Sequence, residues 1–322
     1  MCLYPKLIRN KKYTANKKNG GVIPPVNDIR VLWVSAGCGK CMECKKKKSR
    51  EWQVRLTEDI KHYKNGKFVT LTYSDPELIK LENEIDQNLK GYQRDNEIAR
   101  LSIRRFTERW RKRHKKTVRH WLVTELGSKS TERLHIHGIL YTDNVQEIQD
   151  IWKYGQVYVG TFVNEKTINY IVKYVNKIDQ HHKEYNSKIF ASHGIGKNYF
   201  NRKDSKRNIY NKSKTIETYK TKTGYELALP IYYRNKLYTD EEREKLWIEK
   251  LDKEKRYING KEIDVSIDDK EYFKVLYEER RKNKTLGYGN NERNWEQKKY
   301  EQEKRNLKKI ERHRKDWKKR QS

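Results

Sequence analysis

Two neighbouring apolar stretches, VRHWLVTEL at residues 118–126 and RLHIHGIL at residues 133–140, decide the fold of this chain. Both are rich in β-branched and aromatic residues, and a short polar segment with Gly and Ser separates them. This pattern predicts an antiparallel hairpin. Successive side chains of a strand alternate between its two faces. His135 and His137 therefore share one face, and the aliphatic residues between them point to the other face, which we expect to be core.

Further strands and helices are predicted on both sides of this hairpin from hydrophobic periodicity and capping residues. Residues 76–95 are polar and predict a connection without regular structure, whereas the Lys-, Glu- and Arg-rich final 35 residues predict helix. The remaining predicted elements are strands at 66–73 and 155–163 and helices at 95–116, 144–155, 164–178 and 239–256. Helices and strands mixed in this order predict an α+β protein.

The composition points to a polyanionic partner. The 322 residues include 75 Lys and Arg against 44 Asp and Glu, a formal net charge of +31. Such a charge attracts nucleic acid, and 23 Tyr and 8 Trp add rings that stack on unpaired bases. A basic structural protein is the alternative. No apolar run reaches the roughly 18 residues of a membrane span, and the N-terminus lacks a signal peptide. We therefore expect an intracellular protein without a membrane partner.

The histidine pair has the spacing of a metal site, because imidazoles two apart on one strand face stand side by side. Glu125, at the end of the preceding strand, is the candidate third ligand, since a hairpin brings it alongside His135 and His137. Two imidazoles and a carboxylate leave positions open for water or substrate oxygens. We expect Mg²⁺ or Mn²⁺, with Zn²⁺ and Fe²⁺ as alternatives. Surface histidines and a solvated carboxylate are the simpler interpretation.

The stretch YIVKYVNK at 170–177 predicts a helix with one apolar side and a polar side of two phenols and two ammonium groups. Tyr170 and Tyr174 are neighbours at i and i+4 on that polar side. A tyrosine can attack a phosphodiester and form a covalent ester, and Lys173 can offset the negative charge that develops. Exposed tyrosines that only stack on bases are the alternative.

All four cysteines lie near the N-terminus: Cys2, Cys38, Cys41 and Cys44. Four thiolates can close a tetrahedral structural Zn²⁺ site. The C-x2-C-x2-C spacing with a distant fourth cysteine also leaves an iron–sulfur cluster open, and free thiols in a reducing cell are the third interpretation.

Three motifs, FVTLTY at 68–73, HIHGIL at 135–140 with Glu125, and YIVKYVNK at 170–177, resemble those of the His-hydrophobic-His (HUH) endonucleases that initiate rolling-circle replication. Three further stretches are similar to the replication initiation proteins of gokushovirus-type microviruses, a group of small single-stranded DNA phages. They are GCGKCMECKKKKSREW at 37–52, GIGKNYF at 194–200 and LPIYYRNKLYTDEEREKLW at 229–247.

The resemblance implies an HUH fold, with a central antiparallel sheet of about five strands and helices on one face. It places a nicking domain at 61–200, between a Cys-rich basic segment at 1–60 and a basic, mostly helical region at 201–322.

It also implies metal-dependent, site-specific nicking of single-stranded DNA that leaves a 5′-phosphotyrosine and a free 3′-hydroxyl, followed by strand rejoining. The ligands would be His135, His137 and Glu125, the nucleophiles Tyr170 and Tyr174, and Lys173 an electrostatic helper. The implied partners are single-stranded or supercoiled phage origin DNA and a host helicase and polymerase, in the host bacterial cytoplasm.

Three other functions are compatible with parts of the sequence. A non-enzymatic protein that binds single-stranded nucleic acid would explain the charge and the aromatic residues. A transposase or relaxase of the same superfamily would use the same motifs. A non-haem iron oxygenase would use two histidines and a carboxylate, but it explains neither the charge of +31 nor the tyrosine helix.

Overall fold

The structure, a computed structural model, describes residues 2–127, 132–178 and 181–290. Its strands are β1 (Lys6–Arg9), β2 (Trp33–Ala36), β3 (Gly66–Leu71), β4 (Arg119–Leu126), β5 (Leu134–Tyr141), β6 (Val157–Val159), β7 (Ile189–Ala191), β8 (Thr218–Lys220), β9 (Glu226–Ala228), β10 (Lys255–Ile258) and β11 (Lys261–Asp264). Its α-helices are α1 (Met42–His62), α2 (Asp75–Glu84), α3 (Gly91–His114), α4 (Glu147–Trp152), α5 (Glu165–Ile171), α6 (Lys173–Asn176), α7 (Ile231–Leu237), α8 (Asp240–Asp252) and α9 (Lys270–Thr285).

The described residues form two compact units. Residues of the ranges 1–51 and 199–291 make up one unit, and residues of the range 52–198 make up the other. The two ends of the chain, which the sequence places in separate segments, thus belong to one unit. None of the helices within the described residues is long and apolar enough to cross a membrane.

The unit of residues 52–198 is built on a sheet of five strands in the order β6-β3-β5-β4-β7. Every neighbouring pair is antiparallel, which confirms the predicted α+β class with an antiparallel sheet of five strands. The predicted hairpin is its centre, because β4 and β5 pair over eight residues from Arg119↔Tyr141 to Leu126↔Leu134. The polar turn expected between them lies partly outside the described residues.

Helices cover both faces of this sheet, so the expectation of helices on one face was wrong. On one face, apolar residues of the strands pack against α2, α3 and α4, in a cluster that includes Leu122, Ile136, Leu140, Phe106 and Trp152. On the other face, a second cluster joins the strands to α1 and α5, and it includes Trp121, Val123, Ile139, Leu56 and Ile168. The histidines occupy the second face, at the edge of an apolar cluster rather than on an open surface.

Gly138 marks the closest approach of the two central strands. A Cβ atom there would lie 2.1 Å from the Trp121 carbonyl oxygen and 2.8 Å from Leu122 Cα. The strand that carries the histidines therefore accepts no side chain at this position.

The segment 76–95, predicted as an unstructured connection, is helical over most of its length, so that prediction was wrong. Helix α2 begins directly after Ser74 and has Pro76 in its first turn, a position where the missing N–H of proline costs nothing. Leu78 and Leu81 on this helix are buried. Their burial in the core outweighs the polarity of the surrounding residues.

The helix predicted at 164–178 forms in two pieces, α5 and α6, with Val172 between them. Asn164 caps the first piece as expected, by accepting a hydrogen bond from the Thr167 amide. The turn then tightens, because the Val175 amide bonds the carbonyl of Val172, three residues back. β-branched residues at 171, 172 and 175 crowd the preceding turn of a regular helix, which accounts for the break.

The unit of residues 1–51 and 199–291 contains three two-stranded antiparallel sheets, β1-β2, β8-β9 and β10-β11. Helix α8 confirms the predicted helix at 239–256, and Thr239 and Glu242 form the expected capping box. Hairpins thus accompany helices in the region beyond residue 200. Most of the helix predicted for the last 35 residues lies outside the described residues.

Candidate active site

The pairing of β4, β5 and β3 brings three polar side chains together on one sheet face. Glu125 lies opposite His135, and both Val123 and Thr70 lie opposite His137. Glu125 Oε2 is 2.9 Å from His137 Nε2, and Thr70 Oγ1 is 3.0 Å from His137 Nδ1. Hydrogen bonds on both ring nitrogens fix the orientation of the His137 imidazole.

His135 stands beside this pair. Its ring centroid is 6.3 Å from that of His137, and the ring planes differ by 22°. Burial, and then the neighbouring His137, lowers the pKa of His135. A neutral imidazole is the form that binds a metal ion.

Glu125 is partly buried, and burial alone would raise its pKa. The hydrogen bonds from His137 and Lys177 outweigh burial and hold the pKa of Glu125 below its ordinary value. The carboxylate is therefore ionised at neutral pH.

The Glu125–His137 pair has the geometry of two ligands on one divalent ion. Adjacent ligands at about 2.1 Å from a metal in octahedral geometry are about 3.0 Å apart, close to the observed 2.9 Å. His135 does not yet converge on the same point. Among the described residues, four cysteines form the one group of three or more His, Cys, Asp or Glu residues whose ligand atoms all lie within 4.8 Å of one another. Two imidazoles and a carboxylate thus fit a metal ion once His135 turns its ring toward the pair.

The tyrosines of the α5–α6 segment meet the histidines. The ring of Tyr174 stacks on that of His137, with centroids 4.4 Å apart and planes within 3° of parallel. The Tyr174 hydroxyl donates a 2.7 Å hydrogen bond to the hydroxyl of Tyr170. The imidazole pair and both phenols therefore lie on the same side of the sheet, within one cluster.

The two tyrosines differ in their surroundings. Tyr170 is 51% exposed, whereas Tyr174 is half-buried between Tyr170 and His137. Burial, the hydrogen bond to Tyr170 and the charge of Glu125 raise the pKa of Tyr174 well above its ordinary value. Tyr170 offers its hydroxyl to solvent and accepts, rather than donates, the bond between the two phenols.

A lysine contacts the site, but it is Lys177 rather than Lys173. The Lys177 ammonium forms an ion pair with Glu125 and lies 5.9 Å from the ring centroid of Tyr174. Lys173 is exposed, and within the described part of the chain it has no ion-pair partner.

Exposed aromatic residues border the site. Phe68 lies 6.3 Å from the His137 ring in a stacked arrangement, and it contacts Tyr170 and Tyr158 edge-on at 6.1 and 6.3 Å. Tyr158 is 63% exposed, and Phe162 on the same unit is 66% exposed. Such rings beside cationic side chains suit unpaired bases.

Three residues of the cluster carry no functional prediction in the sequence: Phe68, Thr70 and Lys177. Phe68 and Thr70 alternate along β3 with the core residues Val69 and Leu71. Strand alternation alone places them on the histidine face once β3 is known to pair with β5. Lys177 is on the predicted polar side of the helix, but its reach to Glu125 depends on the break after α5.

The cysteines gather away from this cluster, in the unit of residues 1–51 and 199–291. Cys2, Cys38, Cys41 and Cys44 are all free of disulfide bonds, and their Sγ atoms lie within 4.8 Å of one another.

Comparison with known proteins gives two matches. Residues 66–179 match the family model of the replication-associated protein ORF2, a span that contains all the residues of the candidate site. A replication-associated protein ORF4 from Chlamydia phage 1 is 25% identical over 156 residues. That alignment covers 44% of this chain and 37% of the phage protein, so the chain matches well under two thirds of its relative. No solved structure matches the chain.

Proposed function

We propose that the chain is a phage replication initiator of the HUH type, which nicks single-stranded DNA at an origin and later rejoins the strand. The observation that carries the proposal is the contact between the tyrosine segment and the histidine strand, with Tyr174 stacked on His137 at 4.4 Å. The matches to replication-associated proteins support a role in phage DNA replication, and the family match spans this same part of the chain.

The candidate metal ligands are His137 and Glu125, with His135 as the third. A divalent ion such as Mg²⁺ or Mn²⁺ held there would polarise the non-bridging oxygens of a bound phosphate. Thr70 holds the second nitrogen of His137 and so keeps Nε2 directed toward Glu125.

In the nicking step, a tyrosine Oη attacks the phosphorus atom and the bond from phosphorus to the 3′ oxygen breaks. The phenol proton leaves to solvent, and the departing 3′ oxygen takes up a proton to become a free hydroxyl. The 5′ phosphate stays on the tyrosine as an ester, so no external energy source is needed. Rejoining is the reverse, in which a 3′-hydroxyl attacks the phosphotyrosine and releases the phenol.

Tyr170 is the better candidate for the first attack. It is exposed to an incoming strand, and the hydrogen bond donated by Tyr174 stabilises its oxygen as negative charge develops. Tyr174, whose pKa is raised, is suited to the later transfer, after DNA has displaced its bond to Tyr170. Lys177, beside the Tyr174 ring, would offset charge in that second step.

Passive coating of single strands is the second candidate, favoured by the exposed rings of Tyr158 and Phe162 and by the net charge of +31. It predicts binding without cleavage. The proposed function predicts that the same rings lead the strand past Phe68 to Tyr170.

A nicking assay separates the two. The full-length protein is incubated with a labelled circular single strand that carries its own gene, with Mg²⁺, with Mn²⁺ or with a chelator. We expect linear product only with metal, and a loss of at least about 10³-fold in rate for His137→Ala, the scale on which removal of a group that stabilises transition-state charge acts. Tyr158→Phe, an exposed tyrosine on the same sheet, is the control and keeps the rate.

Binding without cleavage under every metal condition would overturn the proposal in favour of passive coating. Cleavage that persists at full rate in His137→Ala would overturn the ligand assignment.

A further inference from the structure

The four cysteines form a site that the nicking proposal does not use. Their sulfur atoms are arranged in pairs, with Cys2 Sγ 3.8 Å from Cys41 Sγ and Cys38 Sγ 4.0 Å from Cys44 Sγ. Sulfur atoms bound at about 2.3 Å to a tetrahedral zinc ion are about 3.8 Å apart. The spacing in the structure thus matches the edges of a ZnS₄ tetrahedron.

The fold explains how a cysteine at position 2 reaches three cysteines some forty residues later. Strands β1 and β2 pair antiparallel with Lys6 opposite Ala36, which carries the residues before β1 alongside those after β2. Cys41 and Cys44 then sit three residues apart at the start of α1, where the Lys45 amide bonds the Cys41 carbonyl. Residues at i and i+3 share one side of a helix.

The loop before α1 is shaped around the sulfurs. A Cβ atom on Gly37 would lie 3.1 Å from Cys44 Sγ, and Gly39 has a φ of +73°, a conformation that favours glycine. Backbone amides point at the sulfurs, since Cys38 N–H donates to Cys2 Sγ at 3.2 Å and Cys41 N–H donates to Cys38 Sγ at 3.2 Å. Such bonds stabilise thiolates in metal sites.

The surroundings favour one closed, structural ion. Cys41 is fully buried, and the cysteines pack against Leu3, Ile258, Ile263 and Leu276. All four sulfurs lie within 4.8 Å of one another, whereas a cluster would need them spread around several iron and sulfide atoms. The lysines at 45–48 follow directly and offset the negative charge of four thiolates on a divalent ion.

We infer that Cys2, Cys38, Cys41 and Cys44 bind one structural zinc ion, which fastens the N-terminal residues and hairpin β10-β11 to the start of α1. Four thiolates leave no open position, so the ion takes no part in DNA cleavage. The inference is independent of the proposed nicking activity.

Zinc content and zinc-edge X-ray absorption of the full-length protein, purified without chelator, test this inference. We expect one zinc ion per chain with a first shell of four sulfurs at about 2.3 Å. Cobalt exchanged into the site should show the thiolate-to-cobalt charge-transfer band.

Two variants assign the site. Cys44→Ser should lower bound zinc at least about fivefold, because structural zinc requires its full set of deprotonated ligands. His137→Ala, in the candidate active site, should keep the sulfur-bound zinc even if nicking is lost.

A first shell of only nitrogen and oxygen, iron in place of zinc, or a protein without bound metal would overturn the assignment. Each of these readings comes from the wild-type protein, so the test does not depend on the folding of Cys44→Ser. A failure to nick DNA would leave the zinc result unaffected.

Discussion

Replacing Gly138 with alanine tests the register that builds the candidate site. The new Cβ would lie 2.1 Å from the Trp121 carbonyl oxygen, about 1.3 Å short of an ordinary contact at 3.4 Å. Because both partners are backbone atoms, β4 and β5 must separate. Overpacking costs about 1–3 kcal/mol, and each interstrand hydrogen bond that opens costs about 1 kcal/mol more. With two such bonds affected, we expect the free energy of unfolding to fall by about 4 kcal/mol.

The assay is urea unfolding followed by far-UV circular dichroism and tryptophan fluorescence, with Gly127→Ala as the matched control at the end of the same hairpin. An alanine Cβ at 127 would meet its nearest atom, His135 Cε1, at 3.4 Å, so this change should stay within about 1 kcal/mol. If Gly138→Ala unfolds within about 0.5 kcal/mol of the wild type, well below the cost of overpacking, the spacing of β4 and β5 is wrong. The pairing of Glu125 with His135 would then fail with it.

Buried charge and net charge give three further predictions. Asp59 is fully buried and accepts hydrogen bonds from Arg119 at 2.9 Å and from the Gly196 amide at 2.7 Å; Asp59→Asn leaves a guanidinium without its counterion and should cost about 3–5 kcal/mol in urea unfolding, whereas Glu84→Gln at an exposed pair should cost below about 1 kcal/mol. Burial lowers the pKa of His120, so the neutral ring is favoured in the fold; its contribution is complete above the unfolded pKa of about 6.5 and is lost as pH falls toward the folded pKa, and His120→Asn should flatten that part of a stability-against-pH curve. DNA affinity should fall steeply between about 50 and 200 mM salt in a filter-binding titration, and an affinity independent of salt would contradict the polyanion interpretation of the charge.

The central part of the fold follows from the sequence because its signals are local. Strand alternation in HIHGIL, the glycine that allows close pairing and the polar side of the tyrosine segment each fix a face or a partner. Features that depend on tertiary contacts do not follow in this way. The polar segment at 76–95 forms helices because Leu78 and Leu81 reach the core, and the second face of the sheet is covered by α1, which lies far away in sequence.

The candidate site divides along the same line. Spacing places Glu125, His135 and His137 on one face, and the structure brings Glu125 and His137 into contact. The pairing of Lys177 with Glu125 depends on the tightened turn after Val172, which no spacing rule predicts. The gathering of the four cysteines depends on the register of β1 with β2, which closes a gap of 36 residues between Cys2 and Cys38.

The most direct measurement of the proposed function is mass mapping of the DNA-linked peptide after reaction with a circular single strand. We predict a 5′-phosphate ester on Tyr170 in the wild type and on Tyr174 in Tyr170→Phe at a lower yield, with none in the double variant Tyr170→Phe, Tyr174→Phe. An adduct on any other residue, or a full yield in the double variant, would contradict the account.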